Sequence, residues 1–203
     1  MATGSKRPHD SDSPRRAKPK AVAPRGAEAV KAALVAAAAE LLVSHTPAQI
    51  SGRMIAERAN VNYGLVHQYF GGKNQIFRTV FMDVSEQVTA EAKRSDPGWW
   101  NRPDLFSTRG DLWRIVANLV ADPDLVVEMG WEFPLMRTIA SEMQAAHPDW
   151  ELRRVQAHAA AIGSALLGWA ILESTLQRGL RLSPAGLRDV RTRVFEIVTA
   201  AED

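Results

Sequence analysis

Between Arg53 and Lys73 the chain concentrates side chains suited to recognition, with no nucleophile–base pair among them. Asn62, Tyr63, Leu65, His67 and Gln68 offer donors, acceptors, an aromatic hydroxyl and an apolar contact within one short segment. On a helix, such a set can probe base edges in a DNA major groove. Gln68 can read adenine, and Leu65 can touch a thymine methyl. Gly64 has no side chain and lets the backbone come close to a duplex. Arg53 is a cation for phosphate. Lys73 opens a further helix, whose free N–H groups and dipole also favour phosphate. His67 can equally be a structural histidine, and Glu57 and Arg58 read as a solvated or salt-bridged face.

These residues need elements to hold them. Ser51 can cap a short helix from Arg53 to Arg58, with Ile55 and Ala56 inward. Ala59, Asn60, Val61 and Asn62 form a turn in which Asn60 tolerates a positive φ and Val61 plugs the space between helices. Asn62 then caps a second helix, Tyr63 to Tyr69, with Val66 and Phe70 as core. Two helices this short are not stable alone. The chain supplies a support on each side. Upstream, an Ala-rich helix from Ala27 to about Val43 carries Val30, Leu34, Ala38, Leu41 and Leu42 in one stripe and ends at His45-Thr46-Pro47. Downstream, Lys73 to about Arg94 buries Ile76, Phe77, Val80, Phe81, Val84 and Val88. The pattern predicts a helix-turn-helix.

The 203 residues are 46% hydrophobic, enough for a real core. With no Cys, disulfides, thiolate zinc sites and Cys nucleophiles are excluded, which fits a reducing cytoplasm. The apolar run Ala159–Leu172 is too short to span a bilayer, and the basic N-terminus lacks a hydrophobic signal core, so no membrane is expected. No nucleophile elbow, phosphate loop or zinc-protease helix is present. His147, Asp149 and Glu151 would not share a helical face. An enzyme, a metal site and a cofactor are therefore not expected. Net charge is +2, yet residues 1–25 carry seven basic against two acidic residues. That arm reads as disordered, and it is either a solvated tail or a strand that touches phosphate or the minor groove.

Residues 95–110, with Pro97, Gly98, Pro103 and Gly110, mark a boundary. Residues 26–72 form the small N-terminal unit, 73–94 the connecting helix, and 95–203 a larger all-helical unit. In the latter, helices are expected around Leu112–Val120, Leu125–Met129, from Pro134, from Pro148 to about Arg178 with Gly179 as C′, and after a Ser183-Pro184 cap. Ala157, Ala160, Ser164 and Gly168 make a small-residue stripe that another helix can approach closely. With Val190 and Val194 of the last helix it can form half of a four-helix interface across a two-fold axis, or pack within the chain. All six Trp lie beyond residue 98. Trp113, Trp131 and Trp169, with Met129, Phe133 and Met136, can line an adaptable apolar pocket or make ordinary core. His158 and Glu173 are polar groups able to orient a ligand there, or satisfied core groups.

The segment Ile55-Ala56-Glu57-Arg58-Ala59, then Val61, Gly64, Tyr69-Phe70 and Lys73, resembles the DNA-binding domain of the TetR family of transcriptional repressors. The likeness covers about residues 27–82. It implies an all-α fold, an N-terminal three-helix helix-turn-helix domain followed by a helical ligand-binding and dimerisation domain. It further implies a homodimer on a pseudo-palindromic double-stranded DNA operator, released by a small-molecule effector enclosed in the second unit. By the same resemblance Tyr69 corresponds to a phosphate-binding tyrosine. The chain departs from the family at Asn62-Tyr63, where Ser-Lys is common, and at Gly71-Gly72, where Pro-Ser or similar is common. Loss of that Lys removes a local phosphate charge, so Tyr63 must offer a hydroxyl or a stacking contact instead.

Overall fold

Alanine-rich helix α1 (Ala27–Leu42) is the post against which the N-terminal unit is built. Its expected stripe is buried at Val30, Leu34, Ala38 and Leu42, and it packs on α2 (Gly52–Arg58), α3 (Gly64–Phe70) and α4 (Lys73–Arg94). The computed structural model describes residues 24–94, 100, 110–128 and 134–200, and of 91–94 the backbone alone. Most of the basic arm, Met129, Trp131 and Phe133 lie outside the described residues.

The second unit continues with α5 (Gly110–Val120), α6 (Pro123–Glu128), α7 (Pro134–Ala146), α8 (Leu152–Gly179) and α9 (Pro184–Thr199). Every regular element among the described residues is helical, so the expected all-α class holds. Helix α8 is the central rod. Val155, Ala159, Ile162, Leu166 and Trp169 are buried along one side, where α5, α7 and α9 pack. By length and composition alone α8 could cross a membrane. Its apolar stripe, however, is the core of this unit, covered by three other helices.

Two side chains stitch the units together. Asn118 of α5 donates through Nδ2 to the carbonyl of Leu42 at 2.8 Å, satisfying an orphan acceptor at the C-terminus of α1. Asn74, in the first turn of α4, donates to Glu128 Oε2 at the end of α6, 2.7 Å away.

Boundaries shift where side chains compete for backbone groups. Helix α8 begins at Leu152 and not at Pro148, because Gln144 Nε2 donates to the carbonyls of His147 and Trp150 and holds a turn there. Gly179 remains helical, and the left-handed residue after the helix is Arg181, at φ 53°. Ser183 caps α9 as expected, its hydroxyl accepting from the Gly186 amide at 3.1 Å.

Phe77 of α4 is fully buried and packs into the core shared with α1. Phe77→Ala should lower unfolding free energy by about 3–5 kcal/mol, the usual cost of a cavity plus lost transfer energy. A denaturant titration should show this as a fall in midpoint at unchanged slope.

Candidate nucleic-acid interface

The turn between α2 and α3 follows from its residue types. Ser51 Oγ accepts from the Met54 amide at 3.2 Å and starts α2. Asn60 adopts φ 54°, a conformation Asn tolerates far better than a branched residue. Val61 donates its amide to Ala56 and packs half-buried between the helices. Asn62 caps the next helix: its Oδ1 accepts from Gly64 N at 2.8 Å and its carbonyl from Leu65 N at 3.0 Å. The helix itself runs Gly64–Phe70, one residue later than expected at each end. Gly71 closes it at φ 73°, the left-handed C-cap that only glycine takes without strain.

Arg53, Asn62, Tyr63, Gly64, His67 and Gln68 are all exposed in this stretch. Leu65 is half-buried and packs on the core, so only part of it can reach a groove. Val66 is buried and Phe70 half-buried, the inner face their spacing predicted. Tyr63 is 39% exposed yet firmly placed. A Cβ on Gly52 would lie 3.0 Å from its ring, so glycine there lets the ring seat on α2. The Arg53 guanidinium lies 5.6 Å from the ring centroid, and the His67 ring meets it edge-on at 5.2 Å. His67 is bonded at both nitrogens: Nε2 lies 2.9 Å from the Tyr63 hydroxyl and Nδ1 lies 3.2 Å from the Gly71 carbonyl.

Tyr69 is half-buried, with the Lys31 ammonium 5.9 Å from its ring centroid. Lys31 went unnoticed in the sequence because it sits among the alanines of α1, far from the motif in the chain. Lys73 holds a place the sequence did not suggest. Its Nζ donates to the carbonyls of Pro47 at 2.9 Å and Ile50 at 2.8 Å. Those carbonyls are presented by a 3-10 turn, Pro47–Gln49, fixed by a reciprocal Thr46–Gln49 cap. Two of three ammonium protons thus bind the chain itself, and what α4 offers outward at this point is mainly its backbone N–H groups.

In the second unit, Trp113 and Leu166 stand between two cavities. One, of about 40 Å³, is wholly apolar and lies among Phe81, Val88, Leu135 and Met136. The other, of about 200 Å³, is lined by Val43, Trp169, Arg114, Arg191 and Glu173. Glu173 accepts from the Trp169 indole at 3.4 Å and lies 3.5 Å from Arg114 and 3.8 Å from Arg191. The expected pocket residues Trp113, Met136, Trp169 and Glu173 therefore gather at two neighbouring spaces. His158 does not join them. It lies against Trp150, ring centroids 4.8 Å apart, and its Nδ1 meets the Arg154 carbonyl. Its position nearly two turns into the helix, against Trp150, explains the difference.

Ala157, Ala160 and Ser164 are exposed on α8, and the space above Gly168 is open. Ile171 and Leu172, 51% and 48% exposed, extend that face. On α9, Val190 and Val194 are half-buried and Ile197 is 67% exposed. The close approach within the chain occurs at Gly163, where a Cβ would lie 2.9 Å from the Met136 sulfur, and not at Gly168.

The family model for bacterial regulatory proteins of the tetR family matches residues 34–80. The HTH-type transcriptional repressor Rv3405c of Mycobacterium tuberculosis is 29% identical over 180 residues, 86% of this chain and 90% of the relative. The HTH-type transcriptional regulator Mb3439c of Mycobacterium bovis matches to the same extent, 29% over 180 residues. Among solved structures, a transcriptional regulator from Rhodococcus sp. RHA1 shares the fold at TM-score 0.63 and 16% identity, over 83% of this chain and 95% of that one. NalD, the secondary repressor of the MexAB-OprM multidrug efflux pump in Pseudomonas aeruginosa, does so at TM-score 0.56 and 19% identity, over 85% and 96%.

The Lys73 clamp has a measurable weight. Lys73→Met keeps the stem and removes two charge-assisted hydrogen bonds, discounted for partial exposure. It should cost about 1–2 kcal/mol in chemical denaturation.

Proposed function

The chain is a TetR-family transcriptional regulator, and from that premise we propose that it is a repressor. It binds a pseudo-palindromic double-stranded operator as a homodimer and is released by a small lipophilic effector. The observation that carries this reading is the exposed set on and around α3, held by a fixed turn and flanked by cations. Asn62, Tyr63, His67, Gln68 and the free part of Leu65 face bases, with Gly64 allowing close approach. Arg53, Lys31, the Tyr69 hydroxyl and the amide groups at Lys73 take phosphates. The chain acts in the cytoplasm, without a cofactor and without catalysis.

Dimerisation is supported by the small and apolar face of α8, with Ala157, Ala160, Ser164 and Gly168, which no helix among the described residues covers, continued by Ile197 on α9. Val190 and Val194 belong to its edge. Effector binding is supported by Trp113, Met136, Trp169 and Glu173 around the two cavities. These two spaces are small for a drug-sized ligand, and Met136, an unbranched side chain suited to moving, is the wall of the apolar one that can yield to an effector. That small volume favours one rival, a dimeric DNA-binding protein that needs no ligand. A lipophilic library that shifts no melting temperature would support the rival.

Selection of bound genomic fragments at moderate salt should return one inverted-repeat sequence, with affinity falling steeply as salt rises. Enrichment indistinguishable from random duplex would sink the DNA-reading proposal. Separately, Ala160→Arg should turn a sedimenting dimer into a monomer of unchanged helicity, and it should weaken operator binding at least tenfold because only one half-site is then held.

A further inference from the structure

Tyr63 and His67 form a pair whose hydrogen-bond direction follows from its third member. The Gly71 carbonyl can only accept, so His67 Nδ1, at 3.2 Å, must carry a proton. In a neutral imidazole the other nitrogen is then a lone pair. Tyr63 must donate its O–H to Nε2 across the 2.9 Å contact. The hydroxyl is thereby left with lone pairs alone on its outward side. It cannot swing away cheaply, because the ring is seated on Gly52, covered by Arg53 and met edge-on by His67.

We propose that His67 sets the polarity of the Tyr63 hydroxyl and so makes Tyr63 a specificity-determining residue. This rests on the reading of α3 as the DNA-facing helix. With His67 neutral, Tyr63 accepts from a base-edge donor, cytosine N4 or adenine N6, and disfavours the guanine O6/N7 edge, which offers only acceptors. Without an acceptor at His67 Nε2, the tyrosyl proton is free to turn outward, and the hydroxyl then donates or accepts alike. From α2, the charged group facing the pair is Arg53; from the turn before α4 comes the uncharged Gly71 carbonyl. The Asn62-Tyr63 departure from the common Ser-Lys pattern thus replaces a fixed positive charge with a hydroxyl whose hydrogen-bonding sense is set by a neighbouring side chain.

The test is selection from a random-sequence duplex library. Full-length wild type, Tyr63→Phe and His67→Phe are compared, with thermal melting to confirm folding. One base pair in each half-site should become degenerate in Tyr63→Phe while the rest of the site stays. At that pair, wild type should prefer cytosine or adenine about three- to tenfold over guanine. His67→Phe should lose that preference while the rest of the site stays. An unchanged site in Tyr63→Phe, or the wild-type preference retained in His67→Phe, overturns the inference while leaving DNA reading intact. A wild type that selects no sequence overturns both.

Discussion

Helices α2 and α3 cannot support themselves. Each has seven residues, too few to offset the cost of starting a helix. Their existence depends on being held between α1 and α4, and the Lys73 ammonium is the point where that hold is most concentrated. By bonding the carbonyls of Pro47 and Ile50 it fixes the linker before α2 to the first turn of α4. The Pro47 carbonyl also accepts from the Ile50 amide at 3.3 Å, so the ammonium grips a turn that is already closed. The buried side chains Leu34, Ile55, Val66, Ile76 and Phe77 then close a single core around the clamp. The exposed face of α3 inherits its rigidity from this arrangement, and the Arg58–Glu40 pair, being exposed, adds little to it.

From that core a continuous series of contacts leads to the outer helices. Asn118 joins α5 to the end of α1. Arg114 of α5 and Arg191 of α9 meet on Glu173 of α8. Asn74 and Glu128 add a second strap between α4 and α6. These polar contacts connect α8 and α9 to α1 through α5 without passing through the apolar cavity. The larger cavity lies on this route, touching Val43, Trp169 and Arg191 at once.

The fold was legible in the sequence because its signals are periodic. The stripes of α1 and α4, the Ser51 and Ser183 caps and the positive φ of Asn60 all follow from local rules. The misses have a common physical form. Lys73 bonds carbonyls more than twenty residues earlier in the chain, and no local pattern encodes such a partner. Lys31 comes to Tyr69 by packing of α1 across α3. The start of α8 was misplaced because Gln144 competes for the carbonyls of His147 and Trp150, which outweighs the preference for proline at a helix start. His158 looked like a pocket residue from hydropathy alone, yet a single aromatic neighbour, Trp150, decides its side. Gly168 and Gly163 are indistinguishable in a helical stripe; only the position of Met136 shows which one is packed inside the chain.

Helix α4 has a consequence of scale. Its 22 residues extend roughly 33 Å. Because Lys73 binds the near end to the linker before α2, the three-helix head and α4 behave as one stiff lever arm. A tilt of about 6° at the far end carries the head through about 3 Å, the length of a hydrogen bond. The gearing resides in a long helix and a two-carbonyl grip, so displacements too slight to disturb the packing around Val84 and Val88 are still large on the scale at which base edges are told apart.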